Sequence, residues 1–234
     1  PHISNFTDFM PLEQHELLGV RYVQRARELG RPDLVILPGT KNTMEDLLWL
    51  RQNGLEAAAL KLAHAGTPIL GVCGGYQMLG QTLDDPQGTE SGRPMALSGL
   101  GLLPTRTVFD AQKRRMQVRA AAQGELFGGA RLTGYEIHNG RTEVGGAPFC
   151  MLEDGTPEGC VNRNVFGTYL HGLFDSGELT GALVRMLCAR KGISPTQTQL
   201  MSMADYRQQQ FDLLADGVRQ ALDMGAVYRA INMA

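Results

Sequence analysis

Cys73 stands in the stretch Gly71-Val72-Cys73-Gly74-Gly75-Tyr76-Gln77. The apolar run Pro68 to Val72 leads into it, and a helical pattern from Gly75 to Leu83 leads away. A strand that turns sharply into a helix lifts the side chain at the turn above the sheet, as in the nucleophile elbow of serine hydrolases. Gly71 and Gly75 permit the close backbone approach that such a turn needs. The start of a helix favours a thiolate, and the Gly74 N–H is placed to meet an oxyanion. A free cysteine is by default a small buried hydrophobe. The flanking glycines shift the expectation to a nucleophile.

A nucleophilic thiol needs a base, and five histidines are available. His2 and His15 lie near the N-terminus, and His64 falls at a helix end, where a cationic side chain is ordinary. His171 follows the strand pattern Val165 to Leu170 and precedes Gly172, so it is expected at a strand end, facing Cys73. His138, in Gly134-Tyr135-Glu136-Ile137-His138-Asn139-Gly140, is the rival and is read as pocket wall or structure. A cysteine–histidine pair suffices for acyl transfer: the histidine takes the thiol proton and returns it to the leaving amine.

The elements that must position this pair alternate. Asp33 to Leu37 and Pro68 to Val72 read as strands buried on both faces. A helix from Met44 to about Arg51 is capped by Thr43, and after Gly54 a second runs from Leu55 to His64 and closes at Gly66. Gly19 to Val23 is a further strand candidate, and Asp84 to Arg93 reads as a polar surface loop. Strand–helix alternation implies a parallel sheet with right-handed crossovers, whose functional groups gather at the carboxyl ends of its strands. The loop after Leu37 and the loop after Val72 both qualify. Between Leu100 and Val165, short segments such as Gln117 to Ala121 and Leu132 to His138 read as antiparallel additions to the sheet. Gly177 to Arg190 is a helix with Leu179, Leu183, Met186 and Leu187 on one stripe. Ala204 to Leu222 is another, with Tyr206, Phe211, Leu214 and Val218 expected to face inward. One α/β domain spanning 1–234 accounts for the pattern.

Composition narrows the classes. The formal net charge of -2 carries no basic footprint for nucleic acid, and no apolar run approaches a membrane span. Cys73, Cys150, Cys160 and Cys188 form no C-x-x-C pair, so a structural zinc site or redox motif is not expected. Reduced thiols and a cytoplasmic setting are the plain reading. The chain opens at Pro1 rather than Met, in a segment that reads as a strand already under way. A longer parent protein is therefore expected.

These motifs together carry a resemblance. Gly71 to Gln77 resembles the G-x-C-x-G-x-Q motif of class I (triad-type) glutamine amidotransferases, and Tyr169-Leu170-His171-Gly172 resembles their histidine segment. Pro38-Gly39-Thr40-Lys41 resembles their oxyanion strand. Pro38 to Thr43, Gly134 to His138 and Gly167 to Gly172 are similar to the cobyric acid synthase branch, and Pro1 to Asp8 resembles the junction before its glutaminase domain. The likeness covers Pro1 to about Asp175. It implies a flavodoxin-like α/β fold, a mostly parallel open sheet flanked by helices with added antiparallel strands. It also implies Cys73 and His171 as catalytic residues. Gly39, Thr40, Gly74, Gln77, Tyr135 and His138 would then serve the oxyanion and glutamine.

The resemblance further implies glutamine as substrate, with no cofactor and no metal in this domain. Ammonia would pass to a synthetase domain that uses ATP and magnesium to amidate a corrinoid, adenosylcobyrinic acid a,c-diamide. This chain has no G-x-x-x-x-G-K-[ST] loop, so that domain is expected outside it. One departure stands out. The glutamate that the broader class places two residues after the histidine is Leu173 here. Glu136 or Asp175, or a partner domain, is expected to supply the carboxylate. Rival readings are an amidotransferase serving another acceptor such as a cell-wall precursor, a cysteine hydrolase of the same fold, and a non-catalytic scaffold.

Overall fold

A computed structural model describes residues 2–124, 127–194 and 203–232; Pro1, counted above in the opening segment, lies outside them. The chain begins with a 3-10 turn, Phe6–Phe9, and short helices α1 (Met10–Glu13) and α2 (Ala26–Leu29). Strand β1 (Val35–Leu37), helices α3 (Thr43–Gln52) and α4 (Leu55–His64), strand β2 (Ile69–Val72) and helix α5 (Gly74–Leu79) follow in the expected alternation. Then come β3 (Thr82–Asp85), β4 (Met95–Ser98), β5 (Thr105–Ala122) and β6 (Arg131–Val144). Short strands β7 (Cys150–Leu152), β8 (Pro157–Glu158), β9 (Cys160–Asn162), β10 (Val165–Thr168) and β11 (Leu170–His171) precede α6 (Glu178–Arg190), α7 (Met203–Ala221) and α8 (Met224–Asn232).

The first sheet has the order β1-β2-β10-β9. β1 and β10 run parallel to β2 on either side, with Leu37 beside Gly71 and Thr168 beside Val72. β2 is buried on both faces, as its unbroken apolar run implies: Leu70 and Val72 pack toward α6, Ile69 toward α3, α4 and α5. β9 adds to the edge of this sheet antiparallel to β10, and the remaining strands form a second, mixed sheet in the order β11-β6-β5-β3-β4, with β7 on β5 and β3 parallel to β5. The expected strand Val165 to Leu170 therefore splits. Its first part stays in the parallel sheet, and after Tyr169 the chain crosses to pair with β6, His171 beside Tyr135.

Other expectations are corrected. Gly19 to Val23 is not a strand; Leu18 and Val20 pack against the core from an irregular segment. The cap of α3 is Asn42, whose side chain accepts the Glu45 N–H, while Thr43 is the first helical residue. Helix α5 stops at Leu79, because Gly80 is extended and lies against Thr105 and Gly99 lies against the Gly80 carbonyl. The loop after β3 is organised around a fully buried carboxylate: Asp85 accepts bonds from Thr89, Glu90 and Ser91. Helix α7 exposes the stripe expected inward, with Phe211 62% and Leu214 64% exposed, Val218 exposed and Tyr206 half-buried. No helix among the described residues is long and apolar enough to cross a membrane.

Candidate active site

The turn between β2 and α5 is built by its glycines. A Cβ on Gly75 would stand 2.0 Å from the Leu37 carbonyl oxygen, and one on Gly71 would stand 2.7 Å from the Gly75 oxygen. No side chain fits either place, so the helix sits directly on β1 and β2. The turn forces Cys73 to φ 51°, a region that non-glycine residues rarely occupy. Its N–H bonds to the Thr168 carbonyl at 2.8 Å, which ties the elbow to β10. Of the four cysteines, Cys73 alone is not buried.

Gly39 is pressed between the reacting residues. A Cβ there would lie 3.1 Å from His171 Cε1 and 3.4 Å from Cys73 Cβ. The Gly74 position lies equally close to Thr40: a Cβ on Gly74 would be 3.3 Å from the Thr40 nitrogen. The loop after β1 and the start of α5 thus converge beside Cys73, where two backbone amides can serve an oxyanion. Thr40 is held by its hydroxyl, which donates to Asp46, and Asp46 also receives His2 at 3.0 Å.

His171 is buried and lies between two partners. Its Nδ1 is 2.6 Å from Asp8 Oδ2, which leaves the other ring nitrogen free to serve Cys73, whose side chain bears on the imidazole. Asp8, itself buried, also accepts the Gly172 N–H at 3.0 Å through Oδ1. Burial pulls the His171 pKa down, but the bonds and charges of Asp8 and Cys73 outweigh it and push it up to about 9. Tyr135 stacks on the imidazole, with ring centroids 5.2 Å apart and 19° between planes, and its hydroxyl meets the Asn5 amide.

The carboxylate on His171 is therefore Asp8, 163 residues away in sequence. Glu136, expected as one source, turns elsewhere, with Oε2 at 2.7 Å from Arg114 Nε. Asp175 sits in the turn after His171, its N–H bonded to the Gly172 carbonyl, but Nδ1 is taken by Asp8. Leu173 is a buried core residue, which explains why no acid stands there. The 3-10 turn brings Asp8 into place because the adjacent Phe9 and Leu12 insert into the core.

Gln77 is buried and occupied. Its Oε1 accepts the Thr43 hydroxyl at 3.0 Å, and its Nε2 donates to the Asn139 carbonyl and the Tyr169 hydroxyl. It braces α5 against α3 and β6. His138 stacks on Tyr169, centroids 3.6 Å apart, and lines a neighbouring cavity. The expected residues thus divide: Cys73, His171, Gly39, Thr40, Gly74 and Tyr135 come together, whereas Gln77, His138 and Glu136 lie behind them.

A cysteine on a strained elbow, with a histidine and a buried carboxylate in line on an α/β scaffold, defines the glutamine amidotransferase fold class. The match to two solved structures agrees on the fold: a glutamine amidotransferase (TM-score 0.56, 17% identity, covering 82% of this chain and 96% of that one) and PurLQS from Thermotoga maritima (TM-score 0.57, 18% identity, 77% and 92%). The chain belongs to the CobB/CobQ-like glutamine amidotransferase domain family, whose profile matches residues 1–179. Proteins named cobyric acid synthase from Ruminiclostridium cellulolyticum and Streptococcus sanguinis are 42% and 44% identical to it over 99% and 98% of the chain. That of Salmonella arizonae is 46% identical over 97%. The chain spans about half the length of these relatives, 47% in each case.

Proposed function

We propose that this chain hydrolyses glutamine to glutamate and ammonia through a thioester on Cys73. The line Asp8–His171–Cys73 beside the Gly39–Thr40 loop carries this reading. The sulfur attacks the side-chain amide carbon, and the developing oxyanion is met by the amides of Thr40 and Gly74. His171 holds the proton at the nitrogen facing sulfur and delivers it to the departing ammonia. It then takes a proton from the water that cleaves the thioester. Asp8 fixes the tautomer through Nδ1 and stabilises the imidazolium in both halves. Tyr135 and Asn5 close the imidazole from the side, and Gln77 holds the helix that carries the nucleophile.

The family and the relatives' names support a destination for the ammonia. In a protein of the relatives' length, it would be passed to an ATP- and magnesium-dependent synthetase part. There it would amidate peripheral carboxylates of adenosylcobyrinic acid a,c-diamide to give adenosylcobyric acid. Curated relatives above 40% identity favour this acceptor over a cell-wall precursor. The test is glutamine-dependent amidation of the corrinoid by the longer protein, with Cys73→Ser as control. Loss of glutamine-supported but not ammonium-supported product is expected. Corrinoid amidation that ignores both nitrogen sources would overturn the assignment.

A further inference from the structure

Residues 2–8 run along the loop after β1. The Ser4 N–H donates to the Gly39 carbonyl at 3.0 Å, and the Lys41 N–H donates to the His2 carbonyl at 3.2 Å, so Ile3 and Thr40 stand opposite each other as an antiparallel pair. Bonds that flank a pair in this way make it the type whose own N–H and C=O groups point away from the partner strand. The Thr40 N–H is therefore turned away from Ile3. The elbow stands on that side: a Cβ on Gly74 would be 3.3 Å from the Thr40 nitrogen.

The peptide between Gly39 and Thr40 is planar, with its carbonyl and its N–H on opposite sides. Ser4 holds the carbonyl end and so fixes where the N–H end points. Gly39 has no Cβ to restrict rotation of this peptide, which leaves the bond from Ser4 to set its orientation. The Thr40 side chain is held separately. Its hydroxyl donates to the buried Asp46, and Asp46 takes His2 Nδ1 at 3.0 Å. Ser4 also lies at the site itself. One point beside Gly39 is 3.1 Å from Ser4 Oγ, 3.1 Å from His171 Cε1 and 3.4 Å from Cys73 Cβ. The same short segment then supplies Asn5 to Tyr135 and Asp8 to His171.

We propose that residues 2–8 form a strap that sets the oxyanion site. Ser4 is a positioning residue that acts through its main-chain N–H, and His2 is a second clamp that acts through Asp46. The inference rests on the glutaminase reading, which gives the Thr40 amide its role. A donor aimed in advance at the developing charge needs no reorganisation during the reaction, so the strap should act on the transition state and little on glutamine binding.

The experiment separates the oxyanion from the nucleophile. Ser4→Pro removes the N–H, and Ile3 before it is already extended, as a residue preceding proline must be. This variant is expected to lower kcat for glutamine hydrolysis by about 10- to 100-fold, with KM within about threefold. The second readout is inhibition by glutamate γ-semialdehyde, the glutamine analogue with an aldehyde in place of the amide. Cys73 Sγ adds to its carbonyl carbon, and the carbonyl oxygen becomes the oxyanion. Its affinity should fall in step with kcat. Iodoacetamide alkylates a thiol without forming an oxyanion, so its rate at Cys73 should stay within about twofold, with Asp8, His171 and the elbow in place. Ser4→Ala keeps the N–H and should bring kcat back to within about threefold of the unaltered chain. His2 is exposed, so folding is not at stake in His2→Ala, which should lower kcat and aldehyde affinity together by about 3- to 10-fold.

Full kcat in both Ser4→Pro and His2→Ala overturns the strap. So does a loss of kcat with aldehyde affinity intact, or an equal loss in the iodoacetamide rate. These outcomes leave the glutaminase reading standing. An unaltered chain that neither hydrolyses glutamine nor binds the aldehyde contradicts that reading instead.

Discussion

Asp8 takes Nδ1 of His171 and leaves the other nitrogen to the sulfur, so one residue decides both tautomer and charge. Asp8→Asn keeps the shape but reverses the hydrogen-bond demand. It is expected to lower kcat for glutamine hydrolysis by about 10²- to 10⁴-fold with little change in KM. Glu136→Gln and Asp175→Asn should each cost less; a steady-state comparison in which either matches Asp8→Asn would remove Asp8 from its role. The raised pKa of His171 also has a stability consequence. A base whose pKa is higher folded than unfolded stabilises the fold while both forms are protonated. That contribution is complete below about pH 6.5 and lost as pH rises toward 9. The shift corresponds to about 3 kcal/mol. Denaturant midpoints at pH 6 and pH 9.5 should differ more for the unaltered chain than for His171→Gln; parallel profiles would contradict the assignment.

At the scale of elements, the elbow exists because α5 lies directly on β1. Gly75→Ala places a methyl at 2.0 Å from the Leu37 carbonyl, so strand and helix must separate. A loss of about 3 kcal/mol in folding stability is expected from such overpacking, read by urea unfolding. Phe9→Ala tests the opposite end of the site. It should cost about 3–4 kcal/mol and also lower kcat, because Phe9 anchors the turn that carries Asp8. The elbow, β1, β2, α3, α4 and the strand leading to His171 are legible in sequence, since local pattern and turn chemistry specify them. Asp8 is not: it marks no motif, and only the packing of Phe9 and Leu12 brings its turn beside β11. The split at Tyr169 is equally hidden. Val165 to Leu170 reads as one strand, and nothing local shows that its last residue, Leu170, belongs to another sheet. The resemblance sets Gln77 and His138 with the glutamine; in the structure Gln77 bonds to Thr43, Asn139 and Tyr169, and His138 lines a neighbouring cavity, contacts that no local pattern specifies.

At the scale of the molecule, the site is assembled from segments far apart in sequence: a turn at residue 8, loops after β1 and β2, and a strand at residue 171. Helices α7 and α8 take no part in it, and the apolar residues of α7 face outward. Replacing Phe211, Leu214 and Val218 together by serine should change unfolding free energy by no more than about 1 kcal/mol, because these side chains lose little burial. A loss of several kcal/mol in denaturant titration would mean that the stripe is covered in solution.

The central claim is a nucleophilic Cys73 served by His171 and Asp8. Its most direct measurement is intact-mass analysis after exposure to a chloroketone or diazo-ketone mimic of glutamine. The claim predicts one adduct, on Cys73, that forms at least about 100-fold more slowly in Asp8→Asn and is blocked by excess glutamine. A chain that stays unmodified, or an adduct that forms as fast in Asp8→Asn, would contradict it.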